Sequence, residues 1–268
     1  MGQTEQTIQV FRDGVAIAAC TGAPSADPDP CVSDRTISGT DDVAITVLSS
    51  HASVWNFGTT TDTTAPQITI ASPSAAPLVL NSSVQPDYRC DDGAGTGVAS
   101  CEAGPLNGTL VDTTSVGTKT FTVVAKDNAG NTSQSSVAYD VVYATGDCLG
   151  APGRAVLQPV DADGGSVFKK GSTVPVKFRV CDALGNSIGT SGVVTGAGAP
   201  VFVSSTSTTA AVDEAAYSTT PDTAFRWDPT GRQWIFNMST RNLTAGVKYT
   251  YRIPLNDGTA IAYSFAVK

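Results

Sequence analysis

No stretch of this 268-residue chain sustains an apolar period of 3.6 residues; where apolar side chains recur, they recur at every second position. Val174, Val176, Phe178 and Val180 alternate with Pro175, Lys177, Arg179 and Cys181, and Val43, Ile45 and Val47 repeat the pattern. So do Phe121, Val123 and Ala125, then Val137, Tyr139, Val141 and Tyr143. Runs of period two punctuated by Gly, Pro, Asn and Asp read as strands joined by tight turns. The 35 Thr and 25 Ser fit a pleated, half-exposed surface, and the 26 Gly and 15 Pro supply the turns. The chain is therefore expected to be all-β. Turn signals every 8–12 residues or so are those of immunoglobulin-like sandwiches in tandem.

Three segments follow. Residues 1–60 hold a strand at Ile8 to Phe11, a turn at Arg12-Asp13-Gly14 and a return strand from Val15 to Cys20. With only Val43–Val47 added, this reads as a partial β-segment, the C-terminal half of an upstream module. The polar run 58–66 ends in Pro66 and reads as a linker. Residues 64–145 and 147–268 then form two complete sandwiches. In the second, Pro175 marks an edge strand or a bulge, and Asp257-Gly258 turns the last hairpin.

The six cysteines are Cys20, Cys31, Cys90, Cys101, Cys148 and Cys181. None stands in C-x-x-C spacing and His51 is the only histidine, so a zinc site is not expected. Six cysteines admit 15 connectivities, of which pairing between neighbours is the most economical. Disulfides place the chain in an oxidising compartment, each short bridge being worth roughly 2–4 kcal/mol. Met1 is followed by no basic or apolar leader, so a signal peptide is expected upstream of this fragment. A net charge of −8 argues against nucleic acid and anionic lipid, and no apolar run is long enough for membrane insertion.

Thr64-Ala65-Pro66-Gln67-Ile68-Thr69 opens the middle segment, and Gly117-Thr118-Lys119-Thr120-Phe121-Thr122-Val123 followed by Ala125-Lys126-Asp127-Asn128-Ala129-Gly130-Asn131 closes it. Over about 80 residues this resembles the hyalin-repeat and bacterial Ig-like families. Pro175-Val176-Lys177-Phe178, preceded by Lys170-Gly171-Ser172-Thr173-Val174 and followed by Phe225-Arg226-Trp227-Asp228 and Leu255-Asn256-Asp257-Gly258-Thr259, resembles the PxKF-type C-terminal domain of exported bacterial proteins. These resemblances imply an extracellular spacer or adhesion module.

Candidate chemistry is sparse. Gly185-Asn186-Ser187-Ile188-Gly189 matches a nucleophile-elbow string, but no helix pattern follows and His51 lies upstream of it, so a turn is the better reading. No catalytic residue and no cofactor is expected. Asp161-Ala162-Asp163-Gly164 fails as an EF-hand, having Ser166 and Ser172 where Gly and Glu belong. The aspartates read as turn caps and calcium is not expected; Asp91, Asp92 and Asp127 are the residues an oxygen site would use. Trp227 and Trp234 fall in phase with Phe225 and Phe236 and read as core. Trp55 either plugs the base of a core or faces a ligand. The reading is a non-catalytic spacer or stalk at the cell surface. The alternative is a carbohydrate- or cell-wall-binding accessory module of an exported enzyme, with a polysaccharide or another surface protein as partner.

Overall fold

The structure is a computed structural model, and it describes residues 8–22, 25–38, 42–59, 62–107, 109–215 and 220–268. Every regular element in it is a strand. Tandem β-sandwiches form because alternating side chains leave one apolar face per sheet, which in a chain without helical periodicity a second sheet covers.

The chain divides into two compact units. One comprises residues 1–69, 89–102 and 123–135; the other comprises 70–88, 103–122 and 136–268. In the first, Val15–Ala16, Ile8–Arg12 and Trp55–Thr59 form a three-stranded sheet, and Cys31–Ser38 pairs antiparallel with Asp42–Leu48. Val10, Ile17 and Val32 are buried together, with Ile45, Val47 and Trp55 packed against them. The described residues of this segment thus form five strands, two more than the alternation foretold. Cys31–Ser38 escaped notice because Ser33, Asp34 and Arg35 interrupt its apolar positions, and a bulge between Val32 and Asp34 breaks its register. Of the linker read at 58–66, residues 60 and 61 lie outside the described residues.

The middle sandwich is built on Leu78–Val79, Thr132–Val142, Gly117–Asp127 and Val98–Gly104, in that order, with Gln67–Ser72 paired to Asp87–Asp91. Phe121, Val123, Ala125, Tyr139 and Val141 are buried on its strands, as their alternation requires.

The C-terminal sandwich has two four-stranded sheets. One runs Val156–Leu157, Thr173–Phe178, Gln233–Ser239, Arg226–Asp228; the other runs Val167–Phe168, Ala260–Val267, Val247–Pro254, Val201–Ser207. Val174, Val176, Phe178 and Val180 are all fully buried. The Pro175 strand is interior by sheet order, but Val156–Leu157 reaches only Phe178 and Lys177, so Pro175 itself faces no strand on that side. Asp257 accepts from the backbone N–H (2.9 Å) and the hydroxyl (2.5 Å) of Thr259, which fixes the hairpin turn with Gly258 at φ +81°.

Candidate functional site

Three loops meet at one end of the middle sandwich, and aspartates hold them there. Asp127 ends the strand Gly117–Asp127 and is 1% exposed. One of its carboxylate oxygens accepts from Gly130 N (2.6 Å) and Asn131 N (2.8 Å), the other from Asn131 Nδ2 (2.7 Å). Asn131 also donates to the Asp62 carbonyl at 3.0 Å. Asp62 accepts from Thr64 N (2.9 Å), Thr96 N (2.9 Å) and Thr96 Oγ1 (3.1 Å). The backbone donors of Thr64 and Thr96 hold the Asp62 carboxyl below the usual range, against the opposing pull of burial. Asp92 accepts from Gly97 N at 2.7 Å, and its other oxygen is buried without a donor among the described residues.

Carboxylate oxygens of Asp62, Asp92 and Asp127 lie within 4.8 Å of one another. An all-oxygen set of this kind has the chemistry of a hard-cation site. As the hydrogen bonds stand, the three side chains act as acceptors that tie the linker, the Cys90–Cys101 loop and the 127–131 turn into one knot. Gly95 is part of the fit: a Cβ there would stand 2.7 Å from an Asp62 oxygen and collide with Asp92. A cavity of about 530 Å³ opens alongside, lined by Asp62, Gln67, Asp91, Asp92 and Ala94 among others. The structure therefore joins Asp92 and Asp127, adds Asp62, and leaves out Asp91, whose exposed carboxylate caps Gly93 N at 2.8 Å. Asp62 gave no periodic signal; its place in the Asp-Thr-Thr-Ala-Pro run was the only pointer.

The cysteines pair as Cys20–Cys31, Cys90–Cys101 and Cys148–Cys181. His51 Nδ1 lies 2.7 Å from Ser50 Oγ, and that hydroxyl also bonds Asp29. Here the serine stands between the acid and the imidazole, whereas nucleophilic catalysis needs the imidazole in the middle. The imidazole is 71% exposed, and hydrogen bonds from Ser50 are the main reason the Asp29 carboxyl lies low. The Ser187 hydroxyl donates to the Arg232 carbonyl at 2.9 Å. Asp163 caps Gly165 N at 2.9 Å, and Asp161 bonds the Gln158 amide, so the failed calcium string is turn chemistry. Trp234 is buried, its indole N–H given to the Ile188 carbonyl at 2.9 Å. Trp227 is only half-buried, laid so closely over Gly189 that no side chain fits between them. Trp55 is also half-buried, against Val10, Ile17 and Val32.

A second cluster lies within the unit of 70–88, 103–122 and 136–268. Asn81 Nδ2 donates to Asp182 at 2.9 Å, and Ala183 N donates to the Leu80 carbonyl at 2.8 Å. Tyr143, 2% exposed, gives its N–H to Asp257 (3.0 Å) and its hydroxyl to Asn256 (2.8 Å). Ala144 N donates to the Cys181 carbonyl at 2.8 Å. Burial raises the Asp182 carboxyl, but bonds from Asn81, Asn186 and Leu184 outweigh it and leave it low. Burial, aided by the Asp257 charge, pushes the Tyr143 hydroxyl up to about 12. Sequence reading had no means of pairing residues 81 and 182, which stand 101 positions apart.

No family model matches the chain, and no curated protein matches it. Among solved structures it is similar to the N-terminal eight Ig domains of Down Syndrome Cell Adhesion Molecule, at 13% identity and a TM-score of 0.28, over 98% of this chain and 33% of that one. It is also similar to an endo-fucoidan hydrolase of glycoside hydrolase family 107, at 13% identity and a TM-score of 0.22, over 76% of this chain and 34% of the other. A third is Protocadherin Gamma B2 extracellular cadherin domains 3–6, at 10% identity and a TM-score of 0.22, over 97% and 66%. The chain thus spans about a third of the length of the first two. At these scores the architecture rests on the sheets described above, not on the likeness.

Proposed function

We propose that this chain is a non-catalytic structural segment of a secreted or surface-attached bacterial protein, a spacer or adhesion stalk with a rigid joint inside its second unit. The observation that carries the reading is the joint between the middle and C-terminal sandwiches inside the second unit. A hinge leaves its connecting backbone free to turn. Here Tyr143 is buried as the chain leaves the middle sandwich, its amide is bonded to Asp257, and Asn81–Asp182 and Leu80–Ala183 pin a second point. Three disulfides support an oxidising compartment. The resemblances to the hyalin-repeat, bacterial Ig-like and PxKF-type families support export from a bacterium.

Hydrogen exchange tests it directly. The amides of Tyr143, Ala144 and Ala183 are expected to exchange as slowly as those of Phe121 and Phe178 in the cores; exchange at loop rates would mean a hinge and remove the rigid reading. Asp182→Ala is expected to cost about 2 kcal/mol and to speed exchange at Ala183 first, since it strips the acceptor from Asn81, Leu184 and Asn186. Glycan recognition would need an accessible indole, and Trp55 is packed on the Val10 cluster. Titration with polysaccharides is accordingly expected to leave tryptophan fluorescence unchanged; quenching abolished by Trp55→Ala would favour the accessory-module reading.

A further inference from the structure

The strand Val201–Ser207 ends the sheet in which it lies, bonded on one side to Val247–Pro254 from Val201↔Arg252 to Ser207↔Val247. Among the described residues no strand pairs with its other side. All seven residues are exposed, Val201, Phe202 and Val203 by 40%, 55% and 52%. Phe202 is the outermost ring of an aromatic row, 6.4 Å from Tyr249 and 5.8 Å from Tyr251 between centroids.

A free strand edge is a row of main-chain donors and acceptors ready to pair, and proteins blunt it with brevity, charge, proline or a bulge. The three four-stranded sheets have six edge strands among the described residues. Leu78–Val79, Val156–Leu157 and Val167–Phe168 are two residues long. Val98–Gly104 carries Glu102, and Arg226–Asp228 carries both signs. Val201–Ser207 is the sixth, long and uncharged, with Pro200 only before its start and a single bulge between Phe202 and Ser204. Residues 183–212 contain no charged side chain at all.

We propose that this edge pairs antiparallel with the same edge of a second copy of the chain, Phe202 and Val203 of both copies meeting at the centre. Charge selects the occupant. Each copy carries −8, so two copies repel wherever acidic surfaces face each other. Along Val201–Ser207 nothing charged is brought across the seam, and identical strands related by a two-fold axis are self-complementary. A strongly charged partner finds no counter-charge there. The pairing is independent of the spacer reading. Because repulsion lies outside a neutral seam, salt tightens the association, the opposite of a contact held by ion pairs.

Analytical ultracentrifugation of the whole chain, from about 10 μM to about 1 mM protein, reads this out at low and at about 0.5 M salt. A reversible dimer is expected, tighter at high salt and weakened about tenfold or more by Phe202→Lys and by Val203→Lys. Both substitutions lower the net negative charge, so a loosely charge-controlled association would strengthen instead. Leu184→Lys, at a site 75% exposed, is the control that leaves the dimer intact. Near-UV circular dichroism confirms that each variant is folded. A monomer throughout at both salts overturns the proposal and leaves the edge to a strand of another protein; so does a dimer that Phe202→Lys leaves unchanged, or one that weakens with salt.

Discussion

Asp112 accepts from Lys119 Nζ at 2.6 Å and from Thr114 Oγ1 and N at 2.6 and 3.0 Å. With the Lys119 bond the largest contribution, its carboxyl is held at about 2. A depressed carboxyl stabilises the fold above its unfolded value of 3.8, and that contribution is lost as pH falls through about 2. Lys119→Met is therefore expected to cost about 1 kcal/mol at neutral pH, allowing for a carboxylate one quarter exposed, and the gap between variant and parent should close as denaturation is followed from about pH 4 to about pH 2. At the level of single residues, turn chemistry was legible: aspartate's habit of bonding nearby amides accounts for Asp91, Asp163 and Asp257. What the residues could not reveal was partnership at a distance. Asp62 meets Thr96, and Asp182 meets Asn81, only because sheet pairing carries them there.

Among the elements, strict alternation located the strands with one dry face, such as Thr173–Phe178 and Gly117–Asp127. Val201–Ser207 was invisible to that rule. Its seven residues face solvent on both sides, and a bulge between Phe202 and Ser204 shifts the register, so no period was ever imposed on its sequence. Disulfides supply the rigidity that short strands lack, and loop length ranks them. Cys148–Cys181 closes 33 residues; the other two bridges close 11 each. Loop-closure entropy gives about 4 kcal/mol for the first and about 3 for the others. Guanidinium unfolding of the paired Cys→Ser variants should show the Cys148/Cys181 loss as the largest drop in midpoint. Equal drops for all three would mean that loop entropy does not set the order.

For the molecule as a whole, sequence reading marked boundaries near residues 60 and 146, whereas the compact units gather residues 89–102 and 123–135 with the N-terminal segment. The reason is strand length. Gly117–Asp127 and Thr132–Val142 are eleven residues each, about 36 Å at 3.3 Å per residue, so their two ends have different neighbours. Punctuation in a sequence marks where a chain turns, not which ends of its strands come to lie together. The Cys148–Cys181 bridge has a further bearing on how this molecule withstands proteolysis. Lys169 and Lys170 are exposed in the turn before Thr173–Phe178 and offer a trypsin-like protease a dibasic site. That cut falls inside the disulfide loop, so the nicked chain should run as one band without reductant and as two with it. A molecule severed there stays a single covalent object, joined through sulfur in place of the lost peptide bond.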